Sequence, residues 1–454
     1  MTQMRVEDVW PVSPLQEGLL FHALFDEQGT DVYVEQMVLG LEGPLDAGVL
    51  RASWQALLDR HASLRAGFRQ MAGMEHPVQV IMRQVDLPWR EVDLSGLDED
   101  AAWAESERIG IEERARRFDL AVPPLLKVLL VKVGQDRHRM MVTLHHILLD
   151  GWSLPILMGD LWAAYAAGGS TSGLPAVAPY REYLAWLSRQ DKEAARDAWR
   201  RALEGAEEPT LVAPAHRDEA PVLGEAVSVE ANEALNGALQ ALTRAHGLTL
   251  NTVVQAAWAL LVGKLTGRRD VVFGATVAGR PGDLPGAESM LGLFINTVPV
   301  RVRFDPAQTV AGTLAEIQDQ QSALLDHQHL GLTEIQRLAG AGANFDTLMA
   351  FENFPGDPDA PPSIDAVTLT GAEMRESINY PLGLVAGWRD GLGLRLTYRP
   401  DLFDEQSAQA LLDRLVRILE QMTAGPLMRV GQIEVLDPFE FSRVVDGWND
   451  TVRP

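Results

Sequence analysis

The 454 residues carry 39 Lys and Arg against 63 Asp and Glu, a formal charge of -24, with 46% hydrophobic and 22% charged residues. This is ordinary globular material, long enough for two or three domain-sized units, and its negative balance argues against nucleic acid or an anionic membrane as a partner. There is no cysteine, which excludes disulfides, thiolate metal sites and a cysteine acyl-enzyme, and no HExxH or comparable spacing among the 10 histidines supports a metal site.

No apolar run approaches the roughly 18 to 20 residues of a membrane span, and the opening MTQMRVEDVW is too acidic for a signal peptide. The expected location is cytoplasmic. Ser13 before Pro14 starts a helix with Leu15, Leu19 and His22 on one face. Val32 to Leu41 alternates as a strand, and Asp46 caps a helix with Leu50, Trp54, Leu57 and Leu58 on its apolar side. That helix runs into Arg60-His61-Ala62-Ser63-Leu64-Arg65-Ala66-Gly67-Phe68.

Leu125 to Val133 and Met140 to Leu144 form a hairpin about the turn Gly134-Gln135-Asp136. Next comes His145-His146-Ile147-Leu148-Leu149-Asp150-Gly151, then a helix capped by Ser153, with Leu157, Leu161 and Tyr165 at helical spacing before Gly168-Gly169. Two imidazoles, a carboxylate and a glycine thus occupy a strand-to-helix connection, where a rigid scaffold exposes side chains for proton chemistry. Taken alone, a His-His pair beside an apolar strand is more often structural than catalytic. Ser170-Thr171-Ser172-Gly173, followed by Pro175, marks a subdomain boundary. A helix over Tyr180 to Trp186 follows.

In the second half, Asn232 caps a helix carrying Leu235, Leu239 and Leu242 and closed by Gly247, and a more apolar helix ends at Gly267. Val271-Val272-Phe273 is a short buried strand leading into Gly274 to Pro281. Asn296 is a polar residue inside the apolar strand Leu291 to Arg301, and needs a hydrogen-bonding partner there.

HHILLDG resembles the HHxxxDG signature of condensation domains of nonribosomal peptide synthetases and their chloramphenicol acetyltransferase-like relatives. SPLQEGLLFH at Ser13 to His22 is similar to the opening motif of condensation domains accepting a donor that ends in a D-residue. Arg60 to Phe68 resembles RHExLRTxF, with Ala62 and Ala66 replacing Glu and Thr. Tyr180 to Trp186 resembles YxDYAxW, Leu291 to Arg301 resembles IGxFVNTxxxR, and Phe345 to Pro355 and Asn379 to Leu382 again resemble the D-donor subgroup. The likeness runs from about Val9 to about Leu436, and Trp448-Asn449-Asp450-Thr451 looks like a linker entering an adenylation domain.

The resemblance implies an α/β fold: a V-shaped pseudo-dimer of two acetyltransferase-like subdomains with the active-site tunnel between them. The implied divisions are 1–175, carrying the signature, 176–436, and a linker over 437–454. The implied reaction is peptide-bond formation, in which the amine of an acceptor aminoacyl group attacks the thioester of a D-configured donor. Donor and acceptor peptidyl carrier proteins would be the partners, with an adenylation domain adjacent and no nucleic acid or membrane. The chain itself would bind no cofactor and no metal; the phosphopantetheine arms belong to the carrier proteins. His146 is then placed to take the amine's proton or to orient it, and the Gly151 N–H to donate to the oxyanion. His145 and Asn296 are structural. Asp150 pairs with an arginine, Arg65 by preference or Arg60.

An epimerization domain shares the signature but carries an EGHGRE-like stretch, and this sequence has no Gly-His-Gly. A heterocyclization domain has paired aspartates in place of the histidines. The linker disfavours a free-standing coenzyme A acyltransferase. A domain that only docks carrier proteins is the remaining rival.

Overall fold

The computed structural model describes residues 5–25, 31–71, 73, 74, 76–216, 222–352, 363, 364, 366–436 and 438–442. The motif residues Asn353, Phe354 and Pro355, and Trp448 to Thr451 with most of the expected linker, lie outside the described residues.

Helix starts follow the capping residues. Asp46 accepts from the Val49 N–H at 3.0 Å at the head of Ala47–Arg60, and Asn232 from the Leu235 N–H at 2.9 Å at the head of Glu233–His246. Gly247 and Gly267 close their helices at φ of 63° and 68°. Helix Leu250–Thr266 is buried on nearly every side, which is why its sequence lacks a polar stripe.

Two compact units form. Among the described residues, those within 1–190, 278–296 and 354–377 make the first, and those within 191–277, 297–353 and 378–454 the second. The division expected at 175/176 is corrected here, because the chain returns to the first unit twice. Its Gly/Ser stretch is a surface loop: the following helix, Tyr180–Ser188, buries Tyr180, Tyr183 and Leu184 in the first unit's core.

The first unit holds a six-stranded mixed sheet. In spatial order its strands are Ser363–Ile364, Val367–Arg375, Val34–Glu42, Arg137–His145, Leu126–Lys132 and Trp89–Asp93. The expected hairpin is present, with Leu126 paired to Leu144 and Lys132 to His138. The sheet edge beyond Val34–Glu42 is supplied from far along the chain by Val367–Arg375. A three-stranded sheet of Val6–Pro11, Val78–Met82 and Ala66–Arg69 completes the unit.

The second unit has its own six-stranded sheet, ordered Asn296–Arg303, Asp270–Val277, Thr347–Glu352, Leu382–Trp388, Leu392–Tyr398 and Glu225–Glu230. Arg301, the arginine of the IGxFVNTxxxR-like stretch, is 4% exposed and grips Asp270 through two bonds of 2.8 and 2.7 Å. No single helix among the described residues is long and apolar enough to cross a membrane.

Candidate active site

The hairpin fixes the position of the signature loop. Strand Arg137–His145 is paired on both sides, and Ile147, Leu148 and Leu149 are buried in the core beyond it. A loop anchored by three apolar side chains holds its polar residues still. Gln16, on the first helix, adds a clamp: its Nε2 donates to the Ile147 carbonyl at 3.1 Å, and the side chain is 1% exposed.

His145 is fully buried. Its Nδ1 accepts the Ile147 N–H at 3.1 Å, so in the neutral ring the proton sits on Nε2, which faces Asp31 Oδ2 at 3.3 Å. Burial works to raise the Asp31 carboxyl, but His145 and the Tyr33 N–H outweigh it and hold it below its ordinary value. His145 therefore braces the loop.

His146 is different, with 24% of its side chain exposed. Its Nδ1 lies 2.9 Å from the Leu149 carbonyl oxygen, and its backbone N–H donates to Tyr33 O at 2.9 Å. A carbonyl can only accept, so Nδ1 carries the proton, and Nε2 of the neutral ring keeps its lone pair for another molecule. Glu35 Oε1 stands 3.5 Å from the same Nδ1.

Asp150 is 1% exposed. Its Oδ1 accepts from the Ser153 N–H at 2.9 Å, the Ser153 hydroxyl at 2.8 Å and Arg280 Nη2 at 3.1 Å, and its Oδ2 from the Phe294 N–H at 2.9 Å. Four donors offset the cost of burying a carboxylate. Ser153 is thus the first helical residue rather than the cap, and Asp150 serves that helix start. The Ser153 hydroxyl also lies 2.9 Å from the Gly292 carbonyl and 2.9 Å from Arg280 Nη2.

The expected pairing of Asp150 with Arg65 or Arg60 is corrected: Arg280 is the partner. Arg65 donates to Glu7 and to the carbonyls of Leu58, Met82 and Arg83, while Arg60 donates to Asp160 and the Pro175 carbonyl. Both earlier arginines are thus spent on other carbonyls and carboxylates. Arg280 reaches Asp150 because Gly279 adopts φ of 60°, with its Cα so near Phe294 that an added Cβ would lie 1.9 Å from the Phe294 oxygen. Its guanidinium sits 3.9 Å from the Phe294 ring centroid and 5.6 Å from that of Trp152. Burial pulls Arg280 below its ordinary pKa while Asp150 pulls it back up.

Asn296 is 6% exposed and is the first residue of its strand rather than an interior one. The preceding residues leave the strand pattern because Tyr180 Oη donates to Leu293 O at 2.5 Å and the Tyr180 ring packs on Gly292. Gly151 is half-buried and is not among the glycines of positive φ, so the special conformation available to it is not used. The loop thus gathers His145, His146, Asp150 and Gly151. Sequence reading missed Arg280, Gln16 and Glu35, although the adjacent polar pair Glu35-Gln36 inside an apolar strand was a visible signal. Among the described residues, no group of three or more His, Cys, Asp or Glu could hold a metal ion.

Comparison with known proteins gives a family model, described as Condensation domain, that matches residues 6–444. One of the linear gramicidin synthase proteins of Brevibacillus parabrevis is 37% identical over 455 residues, covering 98% of this chain. The chain spans only 6% of that protein's length. Among solved structures, the first condensation domain of the calcium-dependent antibiotic synthetase, in complex with a substrate analogue, is similar at a TM-score of 0.78 and 21% identity, covering 95% of this chain and 100% of that one. The X-domain in its complex with OxyB from teicoplanin biosynthesis is similar at 0.78 and 24% identity, covering 96% of this chain and 98% of that one.

Proposed function

Since this chain belongs to the condensation-domain family, we propose that it forms peptide bonds in nonribosomal peptide synthesis, joining two aminoacyl or peptidyl groups held as carrier-protein thioesters. The acceptor's α-amine attacks the donor thioester carbonyl; the new C–N bond forms, the C–S bond breaks, and the ammonium proton ends on the departing thiolate or in solvent. The chain has no cysteine, and the thioester is already activated, so direct attack without an acyl-enzyme is the natural scheme.

The observation that carries this reading is the tautomer of His146. With Nδ1–H committed to the Leu149 carbonyl, Nε2 offers a lone pair to an N–H of the acceptor, taking the proton of its ammonium form or orienting the neutral amine that attacks. An α-amine has a pKa of about 7.7 to 8.0, so part of it is neutral near pH 7, and orienting it serves as well as deprotonating it. Holding both tethered reactants in line can supply about 7 to 11 kcal/mol. The Gly151 N–H is the candidate donor to the developing oxyanion. Donor and acceptor carrier proteins, with their phosphopantetheine arms, are the partners, an adenylation domain is the neighbour, and the Ser13 to His22 motif favours a D-configured donor.

A second reading is a domain that docks a protein without transferring an acyl group; the X-domain, which is similar in fold, is solved in complex with OxyB. One experiment separates them. D- and L-aminoacyl donors are loaded on one carrier protein and an acceptor on a second, and intact-mass spectrometry follows transfer with wild type and His146→Ala. Transfer from the D-donor alone, lost in the variant, is expected. Equal use of both donors removes the stereochemical claim, inversion of the donor would make this an epimerase, and carrier binding without transfer favours docking.

A further inference from the structure

Glu35 lies in strand Val34–Glu42, where antiparallel pairing sets it opposite Leu144, one residue before the histidine pair. It is 7% exposed in a strand whose buried residues are otherwise apolar except for the neighbouring Gln36, and burying a carboxyl there costs free energy unless charged or hydrogen-bonding partners offset it. Its Oε1 is 3.5 Å from His146 Nδ1, the nitrogen already held at 2.9 Å by the Leu149 carbonyl.

The groups around Glu35 oppose one another. Arg114, from helix Glu99–Ala115, donates to the Val34 carbonyl at 3.2 Å and to the Ser377 hydroxyl at 3.1 Å, bringing a cation to one side. Glu376 follows directly after Arg375, which is registered against Gln36, and so brings a second carboxylate beside Glu35. Asp150 acts from the signature loop. Burial, the largest effect, raises the Glu35 carboxyl together with Glu376 and Asp150, against the pull of His146 and Arg114, to about 7 in all. Its charge therefore changes across the range in which imidazole and amine also titrate.

We infer that Glu35 is a positioning residue that acts through His146, its carboxylate holding the proton on Nδ1 and strengthening Nε2 as an acceptor, its neutral form withdrawing that support. The consequence for turnover rests on the condensation reading; the coupling itself rests on the geometry of the two side chains. Its sign is fixed: a carboxylate beside an imidazole favours the imidazolium, so removing the charge lowers the proton affinity of His146. The pair titrates jointly, and the apparent values belong to both groups.

The test is a 15N titration of the histidine-labelled 454-residue chain, with the His146 signals assigned through His146→Ala. In the wild type the neutral ring should be the Nδ1–H tautomer. In Glu35→Gln the His146 15N titration curve should move to lower pH, and Glu35→Asp should recover part of that displacement, with circular dichroism unchanged. The pH profile of acyl transfer should move with it. A His146 titration identical in wild type and both variants overturns the inference even if transfer proceeds normally. A shifted titration in a protein that transfers nothing supports the coupling while removing the proposed function.

Discussion

Arg280 and Asp150, 130 residues apart in sequence, meet at 3.1 Å in the interior of the first unit, where the Ser153 hydroxyl bonds to both. The signature loop is held by the 278–296 segment of the same unit, which lies between strands Asp270–Val277 and Asn296–Arg303 in the chain. Truncating one member of a buried pair leaves the other uncompensated, which typically costs about 3 to 5 kcal/mol. Arg280→Ala should lose stability of that order in urea unfolding and, in the folded fraction, most of its transfer. Arg65→Ala breaks a different set of bonds and should leave transfer per folded molecule intact. An equal loss of transfer in both would return Arg65 to the site.

The two histidines should separate in their effects. His146→Ala, at a side chain 24% exposed, should cost about 10²- to 10⁴-fold in transfer rate with little change in unfolding midpoint. His145→Ala removes the acceptor of the Ile147 N–H in a fully buried position, and should cost about 1 to 3 kcal/mol of stability. Parallel rate and denaturation measurements read both; a rate unaffected by His146→Ala would sink its assignment.

Gly279 and Gly292 should tolerate no side chain. Gly279→Ala places a Cβ 1.9 Å from the Phe294 oxygen at φ of 60°, and should destabilise by about 2 to 4 kcal/mol. Gly292→Ala puts a Cβ 2.2 Å from the Tyr180 ring and should cost about 1 to 3 kcal/mol. Calorimetric midpoints check both, and wild-type stability in either variant would contradict the close approach.

Stability should depend on pH through Glu35. The folded carboxyl, raised to about 7, keeps its proton where the unfolded chain, titrating at 4.5, has lost it. That contribution is fully present below the unfolded value and is lost as pH rises to the folded one, at about 1.4 kcal/mol per unit and about 3 kcal/mol in all. Glu35→Gln removes this slope, so the variant should gain on wild type between about pH 5 and 7.5. Parallel curves from urea titrations over that range would show that Glu35 is not raised.

Much of this architecture is legible in local sequence. Asp46 and Asn232 cap as their spacing predicts, Gly247 and Gly267 close helices, and the hairpin before the signature pairs as its alternation implies. The partner of Asp150 is not legible, because arginines of equal chemistry stand at 60, 65 and 280 and only tertiary packing decides which arrives. The strand start at Asn296 is hidden for a similar reason. Leu291 to Ile295 has strand-like composition, yet the hydroxyls of Tyr180 and Tyr183 and the carboxylate of Asp150 claim its backbone groups. Glu35 signals itself only as a break in alternation; its meaning requires His146 beside it.

The sheet edge completed by Val367–Arg375 has a consequence for biogenesis. Gln36 and Arg375 are registered partners 339 residues apart. At about 5 to 20 residues per second, strand Val34–Glu42 leaves the ribosome tens of seconds before the strand that covers it. During that interval its largely apolar edge offers unpaired backbone groups to any neighbouring nascent chain. Translation speed and chaperone supply should therefore govern soluble yield more than the stability of the finished molecule does.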